Sequence, residues 1–282
     1  MNKLVLFVIL VSILELSNGR SRPAPARLGG RTPQYLRERV RTGRILGGQP
    51  ADIERFPHML ALLDLTMGGF ICGASVIHAQ WSLTAAHCLE FQTPALMINL
   101  LGGTTDRTST TGTLFFADSY TLHPQYDAVW LDFDIAVIRV ADTSPMIGHN
   151  IAAVPISPAC NERCCQACDP EPATVTGWGL NEEGQYPRNL QQLTLPIFNI
   201  DECDAIWTDI FDHFFCVHSK LNVDTCSGDS GSPVVTDVDG QRFQIGLVSF
   251  GHSQCGNGIH PSVNTRIEFP GIRNWITEVS GL

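Results

Sequence analysis

Three side chains suited to covalent hydrolysis stand far apart in this chain. His87 lies in Trp81–Cys88 (WSLTAAHC), Asp134 in Asp132–Arg139 (DFDIAVIR) and Ser230 in Asn222–Pro233 (NVDTCSGDSGSP). A serine hydroxyl is a weak nucleophile at neutral pH and needs an adjacent base. Imidazole titrates near neutrality and can take and return that proton. A buried carboxylate fixes the imidazole's tautomer and stabilises the imidazolium as it forms. Each residue alone has a plainer explanation, since a histidine beside a cysteine is commonly structural and Gly-Asp-Ser-Gly occurs in ordinary turns. Together, in the order His…Asp…Ser, they supply a base, an orienting acid and a nucleophile.

Such residues must be brought together by a rigid frame. Short apolar or alternating runs recur between Gly, Pro, Asn and Asp, among them Met59–Leu65, Gly73–Ile77, Leu96–Leu101, Thr113–Tyr120, Ile135–Val140, Ala173–Thr176, Gln191–Ile197, Pro233–Thr236, Gln244–Ser249 and Ser262–Arg266. That spacing predicts an all-β sandwich or barrel pair rather than βαβ units. The Pro- and Cys-rich stretch Val154–Pro172 is the natural joint between two halves. Ile272, Trp275, Ile276 and Val279 follow a helical period after Pro270 and before Gly281, which predicts a terminal amphipathic helix. A shorter helix is predicted over Asp201–Trp207.

The N-terminal part is of another kind. Met1–Gly19 begins with Lys3, runs apolar to Leu16 and ends in small residues, the order of a secretory signal peptide. The apolar run is shorter than the about 20 residues that span a bilayer. A soluble, exported product with no membrane association is therefore expected. Arg20–Arg44 has eight arginines, one glutamate and three prolines, so it cannot bury enough surface to fold alone. It reads as a basic pro-segment, with a nucleic-acid- or heparin-binding tail as the alternative. From Ile45 onward, nine basic side chains face 26 acidic ones. Such a body repels nucleic acid and favours basic partners.

The whole of Ile45–Leu282 resembles the trypsin/chymotrypsin-like serine proteases (the S1 peptidase family). The matching pieces are Arg44–Gly48, Cys72–Ile77, Leu83–Cys88, Asp134–Ile138, Gly177–Gly179, Gly228–Gly231 and Ser249–Gly251. The resemblance implies two antiparallel six-stranded β-barrels with the active site in the cleft between them. It implies an endopeptidase working through an acyl-enzyme on Ser230, without a cofactor, as a monomer acting on proteins or peptides and open to serine protease inhibitors. The backbone N–H groups of Gly228 and Ser230 would form the oxyanion hole. The chain would be a zymogen, cut after Arg44 by a trypsin-like protease, and the new Ile45 amino group would pair with Asp229.

All ten cysteines lie after residue 45, which fits disulfides formed during export. The resemblance pairs Cys72 with Cys88, Cys203 with Cys216 and Cys226 with Cys255. Cys160, Cys164, Cys165 and Cys168 depart from the family's pattern. They form two local disulfides or, as the alternative, a zinc site. Calcium is not expected, because Gly102–Gly112 carries one carboxylate and a hard cation of this size wants more.

Specificity is where the resemblance is least uniform. It puts Asp224, Ser249, Gly251 and Ser262 around the substrate side-chain pocket, and an aspartate at its base implies Arg or Lys at P1, the residue before the scissile bond. Ser262 and Asn264 nevertheless stand where Gly and Tyr are usual, and Phe250, Ser232 and Phe133 replace Trp, Gly and Asn. Chymotrypsin- or elastase-like specificity is the alternative. A non-catalytic binding protein on the same fold is disfavoured because all three triad residues are present. An α/β-hydrolase is disfavoured by the triad order and by the absence of a strand–turn–helix Gly-x-Ser-x-Gly around the serine.

Overall fold

The computed structural model describes residues 45–141, 145–160, 172–208 and 210–282. Its first half is a closed barrel of six antiparallel strands, in the order β2 (Met59–Asp64), β3 (Gly69–Val76), β4 (Trp81–Thr84), β7 (Ala136–Val140), β6 (Thr113–Leu122) and β5 (Ile98–Gly102). Leu60, Leu62, Ala74, Val76, Leu100, Phe115 and Ile138 fill it.

The second half is an eight-stranded antiparallel sheet. Its order is β1 (Gln49–Pro50), β9 (Gln191–Leu195), β8 (Ala173–Gly177), β12 (Pro233–Val238), β13 (Gln241–Phe250), β14 (Ser262–Arg266), β11 (Phe214–Val217) and β10 (Ile197–Phe198). The expected second six-stranded barrel thus takes the form of a sheet extended at both ends by two-residue strands. Its core contains Val175, Leu195, Phe215, Val217, Ile245 and Ile45.

Helix α1 (Ile200–Trp207) starts where the Asn199 side chain accepts the N–H groups of Asp201 and Glu202, removing two of the unpaired donors of a helix start. Helix α2 (Pro270–Ser280) has Pro at its first turn and a left-handed Gly281 at its end, the usual asymmetry of helix termini. Its buried face, Ile272, Trp275 and Ile276, packs beside Leu83, Val137 and Leu247, so the helix closes over strands of both halves.

The joint foreseen at 154–172 falls partly on residues 161–171, outside the described residues, as do Cys164, Cys165 and Cys168. Cys160 is disulfide-bonded, and its N–H donates to Glu268 O at 2.8 Å.

Candidate active site

His87 sits in the short 3-10 turn Ala86–Cys88 that leaves β4, and the Cys72–Cys88 disulfide ties this turn to β3. Asp134 is fully buried at the entry to β7. Its Oδ1 accepts the backbone N–H of His87 at 2.9 Å, and its Oδ2 lies 2.7 Å from His87 Nδ1. The carboxylate therefore grips the histidine by both main chain and ring. That leaves Nδ1 as a proton donor and Nε2 as the free base. Burial works against protonation of His87, but the hydrogen bond and charge of Asp134, with Glu90 adding to them, hold its pKa above the ordinary value.

Two further groups fix Asp134. Ser249 Oγ donates to its Oδ2 at 2.6 Å, and Thr265 Oγ1 donates to its backbone carbonyl at 2.9 Å. Ser249 thus touches Asp134 and also lines the pocket beside Ser230.

Ser230 occupies the turn between β11 and β12. Its carbonyl accepts Gly73 N–H from the first barrel at 2.8 Å, and the next residue makes the approach still closer. A Cβ on Gly231 would stand 2.2 Å from Thr84 Oγ1 and 2.6 Å from Gly73 O, and φ is +72°. Only glycine fits both the space and the backbone there. The Ser230 turn is in this way pressed against the strands that lead to His87. His87, Gly228 and Ser230 line one cavity, and Ser230 also lines the adjoining pocket that ends at Cys226 and Cys255.

The N–H groups of Asp229, Gly231 and Ser232 all donate within the protein. Among the described residues, those of Gly228 and Ser230 have no such acceptor, and both residues line the cavity that holds His87. Two unengaged donors beside a serine are what a developing oxyanion requires.

Asp229 is buried, and it accepts the N–H groups of Gly179 at 2.8 Å and Cys226 at 2.9 Å. Burial pushes its pKa up to about 7, against those two hydrogen bonds. Ile45 is completely buried in the core of the second half, and Leu46 pairs with Asp224, whose N–H donates to Leu46 O at 3.0 Å. The start of the described chain is thus paired with the residue that precedes Thr225, which lines the pocket beside Ser230. Arg44 lies outside the described residues.

Asp224 does not line the pocket formed by Thr225, Cys226, Ser230 and Gly251. Its Oδ1 takes the N–H of Thr225 at 2.9 Å and a short hydrogen bond from Ser262 Oγ. Its Oδ2 takes Ser219 Oγ at 3.0 Å and the N–H of Gly256 at 2.9 Å. Four donors occupy the carboxylate, and Ser262 is itself fully buried. Nothing in the local sequence of Ser219 marks it as a cap on a residue five positions away. Asn264 is buried too, its Nδ2 donating to Ser262 O at 3.2 Å. Gly251 leaves open the wall in front of Ser262, whose Oγ lies 3.8 Å from where a Cβ would stand.

The disulfides Cys203–Cys216 and Cys226–Cys255 join α1 to β11 and the Ser230 turn to the pocket wall. Cys72, His87 and Cys88 lie close enough to suggest a metal site, but the two sulfurs are bonded to each other and offer no thiolate. In the Gly102–Gly112 loop, the carboxylate of Asp106 is held by Arg188 at 2.8 Å and by Thr108.

A closed barrel, a second curved sheet and a Ser–His–Asp constellation where they meet define a serine protease fold. The Trypsin family pattern matches residues 45–276, and the chain belongs to that family, with the domain of a serine endopeptidase. It is 32% identical over 242 residues to a trypsin of Phaedon cochleariae, covering 83% of this chain and 87% of the relative. It is equally 32% identical over 247 residues to transmembrane protease serine 11G of Rattus norvegicus, covering 85% of this chain but 56% of that protein. A third relative, transmembrane protease serine 9 of Rattus norvegicus, is 32% identical over 250 residues, 84% of this chain and 22% of its own length. No helix among the described residues is long and apolar enough to cross a membrane.

Proposed function

We propose that the protein is an exported serine endopeptidase, made as an inactive precursor and activated by cleavage after Arg44. The observation that carries this reading is the Ser249–Asp134–His87 hydrogen-bond chain beside Ser230 and the free N–H groups of Gly228 and Ser230. Substrate binds with its scissile carbonyl over Ser230. His87 Nε2 takes the hydroxyl proton as Oγ attacks, and Asp134 stabilises the imidazolium. The oxyanion forms against the N–H groups of Gly228 and Ser230. His87 then returns the proton to the leaving amine. Water, activated by the same histidine, hydrolyses the acyl-enzyme.

Activation is read from Asp229. A buried carboxylate without a counter-charge is costly, and its raised pKa expresses that cost. Cleavage after Arg44 gives Ile45 an ammonium group, which would offset it and set the Gly228–Ser230 turn. The basic, proline-rich Arg20–Arg44 segment supplies sites for a trypsin-like activator, and Met1–Gly19 supplies the export signal. The acidic body favours basic protein substrates and inhibitors.

For P1 we favour neutral side chains over Arg and Lys. Trypsin-like selection needs a carboxylate facing the cavity, whereas Asp224 is occupied by Ser262, Ser219 and two backbone donors. Fluorophosphonate labelling before and after cleavage at Arg44 tests the activity. Labelling that appears on cleavage and vanishes in Ser230→Ala supports it, and labelling that persists in that variant overturns it. Peptides varied at P1 test the specificity, and a strong preference for Arg would overturn the neutral reading.

A further inference from the structure

The residue before Asp134 is held in an unusual way. Phe133 has φ +48°, and its carbonyl accepts the N–H of Ile135 at 2.7 Å, so Asp134 sits at the centre of a three-residue turn. A bulky residue in the left-handed region is disfavoured unless its surroundings hold it there. The surroundings are a column of rings. Phe133 is stacked between His123, at 4.5 Å and 8° between planes, and His213, at 4.3 Å and 14°. Phe211 continues the column beyond His213 at 5.5 Å.

The column joins the two halves of the molecule. His123 follows β6 of the first barrel, and its N–H donates to Ile135 O at 3.0 Å. His213 precedes β11 of the second half. Its Nε2 lies 2.7 Å from Asp132 Oδ1 and 3.3 Å from the backbone nitrogen of Phe133. Trp275 and Phe269 close the column edge-on at 4.8 Å from His123 and 6.1 Å from Phe133. Burial depresses the pKa of both histidines, so the stack is of neutral rings at neutral pH. Behind Asp134, therefore, its backbone is clamped by rings from both halves. In front, its carboxylate meets His87 and Ser249.

We propose that Phe133 is a positioning residue for the triad: the His123–Phe133–His213 stack fixes the turn that aims the Asp134 carboxylate at His87. Phe133 touches neither substrate nor the reacting atoms and acts through Asp134. The proposal rests on the catalytic reading above.

The test uses the activated enzyme and a series at 133. Phe133→Tyr keeps the ring and is expected to hold kcat within about threefold. Phe133→Gly tolerates the backbone conformation but removes the ring. It is expected to lower kcat about tenfold to a hundredfold, the scale of a catalytic group misplaced by about an ångström, with KM changed less than about twofold. It should also move the acid limb of kcat/KM to lower pH, because the raised pKa of His87 depends on Asp134. His213→Phe, which preserves stacking but gives up the Nε2 contacts, should hold kcat within about threefold, and His213→Ala should follow Phe133→Gly. Wild-type kcat and an unmoved acid limb in Phe133→Gly and His213→Ala would overturn the proposal, whatever the loss in thermal stability. Labelling of Ser230 in the wild-type enzyme, measured alongside, tests the catalytic reading separately.

Discussion

Ser249 Oγ and His87 Nδ1 share one oxygen, Asp134 Oδ2, at 2.6 and 2.7 Å. A hydrogen bond to a charged group contributes about 1.5–3 kcal/mol, and here it holds the carboxylate against the imidazole. Ser249→Ala is expected to lower kcat by about tenfold or more with little change in KM. Removing the donor makes Asp134 the stronger acceptor, so the acid limb of kcat/KM should shift to higher pH. A rise in KM at unchanged kcat would mean that this hydroxyl serves substrate binding alone.

The wild-type pH profile follows from the same contacts. His87 acts as a base only when neutral, and its pKa lies above 6.5 because Asp134 and Glu90 outweigh burial. Activity should therefore rise through neutral pH, with the midpoint of the acid limb above 6.5. A midpoint well below that in kcat/KM would contradict the Asp134–His87 geometry.

Ser262 covers Asp224 with a hydrogen bond from its hydroxyl, and neither residue lines the pocket beside Ser230. Ser262→Gly removes one of the carboxylate's four donors and opens the space in front of it. Hydrolysis after Arg or Lys should rise at least about tenfold relative to neutral P1 residues, since an unshielded charge-assisted contact is about twice as strong as a neutral one. Steady-state kinetics on matched peptides with Arg, Lys, Leu and Ala at P1 would measure this. No relative gain for the cations would show that Ser262 is not what keeps them out.

The parts legible in the sequence are those that chemistry constrains locally. His87, Asp134 and Ser230 lie in short distinctive stretches, and strands with clear alternation or turn boundaries, such as Thr113–Leu122, appear close to where periodicity puts them. The two-residue strands β1 and β10 are too short to show a pattern, and two longer strands escape it for physical reasons. Phe214–Val217 is buried at every position, so it has no alternation to betray a strand. Trp81–Thr84 runs straight into the histidine's turn and reads as part of that motif. Contacts between distant side chains were illegible. Nothing near Ser219 announces its bond to Asp224, and nothing near His123 or His213 announces that both enclose Phe133.

Asp229 predicts opposite effects of one substitution before and after cleavage. Its folded pKa of about 7 exceeds the ordinary carboxylate value of 3.8, so the folded chain binds the proton more tightly than the unfolded one. Stability is then fully present below pH 3.8 and is lost as pH rises to about 7, by on the order of 4 kcal/mol. In the uncleaved chain, Asp229→Asn should therefore raise stability towards urea at pH 8 and have little effect at pH 4. In the cleaved enzyme it removes the partner of the Ile45 ammonium and should abolish most activity. A destabilised precursor at pH 8 would contradict the uncompensated charge.

His58 gives the opposite slope. It is buried beside β2, where burial, with the nearby Arg242 charge adding, lowers its pKa from 6.5 to about 3. The unfolded chain takes up this proton below pH 6.5, while the folded chain does not until about pH 3. The stability associated with the neutral ring is therefore complete above pH 6.5 and falls as pH drops, by roughly 3 kcal/mol at pH 4. His213, lowered to about 4 by burial, with the nearby His123 next in effect, adds in the same direction. His58→Leu removes the titration and Nε2, which has no hydrogen-bond partner among the described residues. The variant should lose less stability than wild type between pH 7 and pH 4, read as a smaller fall in the urea midpoint. Parallel losses in the two proteins would show that His58 is charged within the fold.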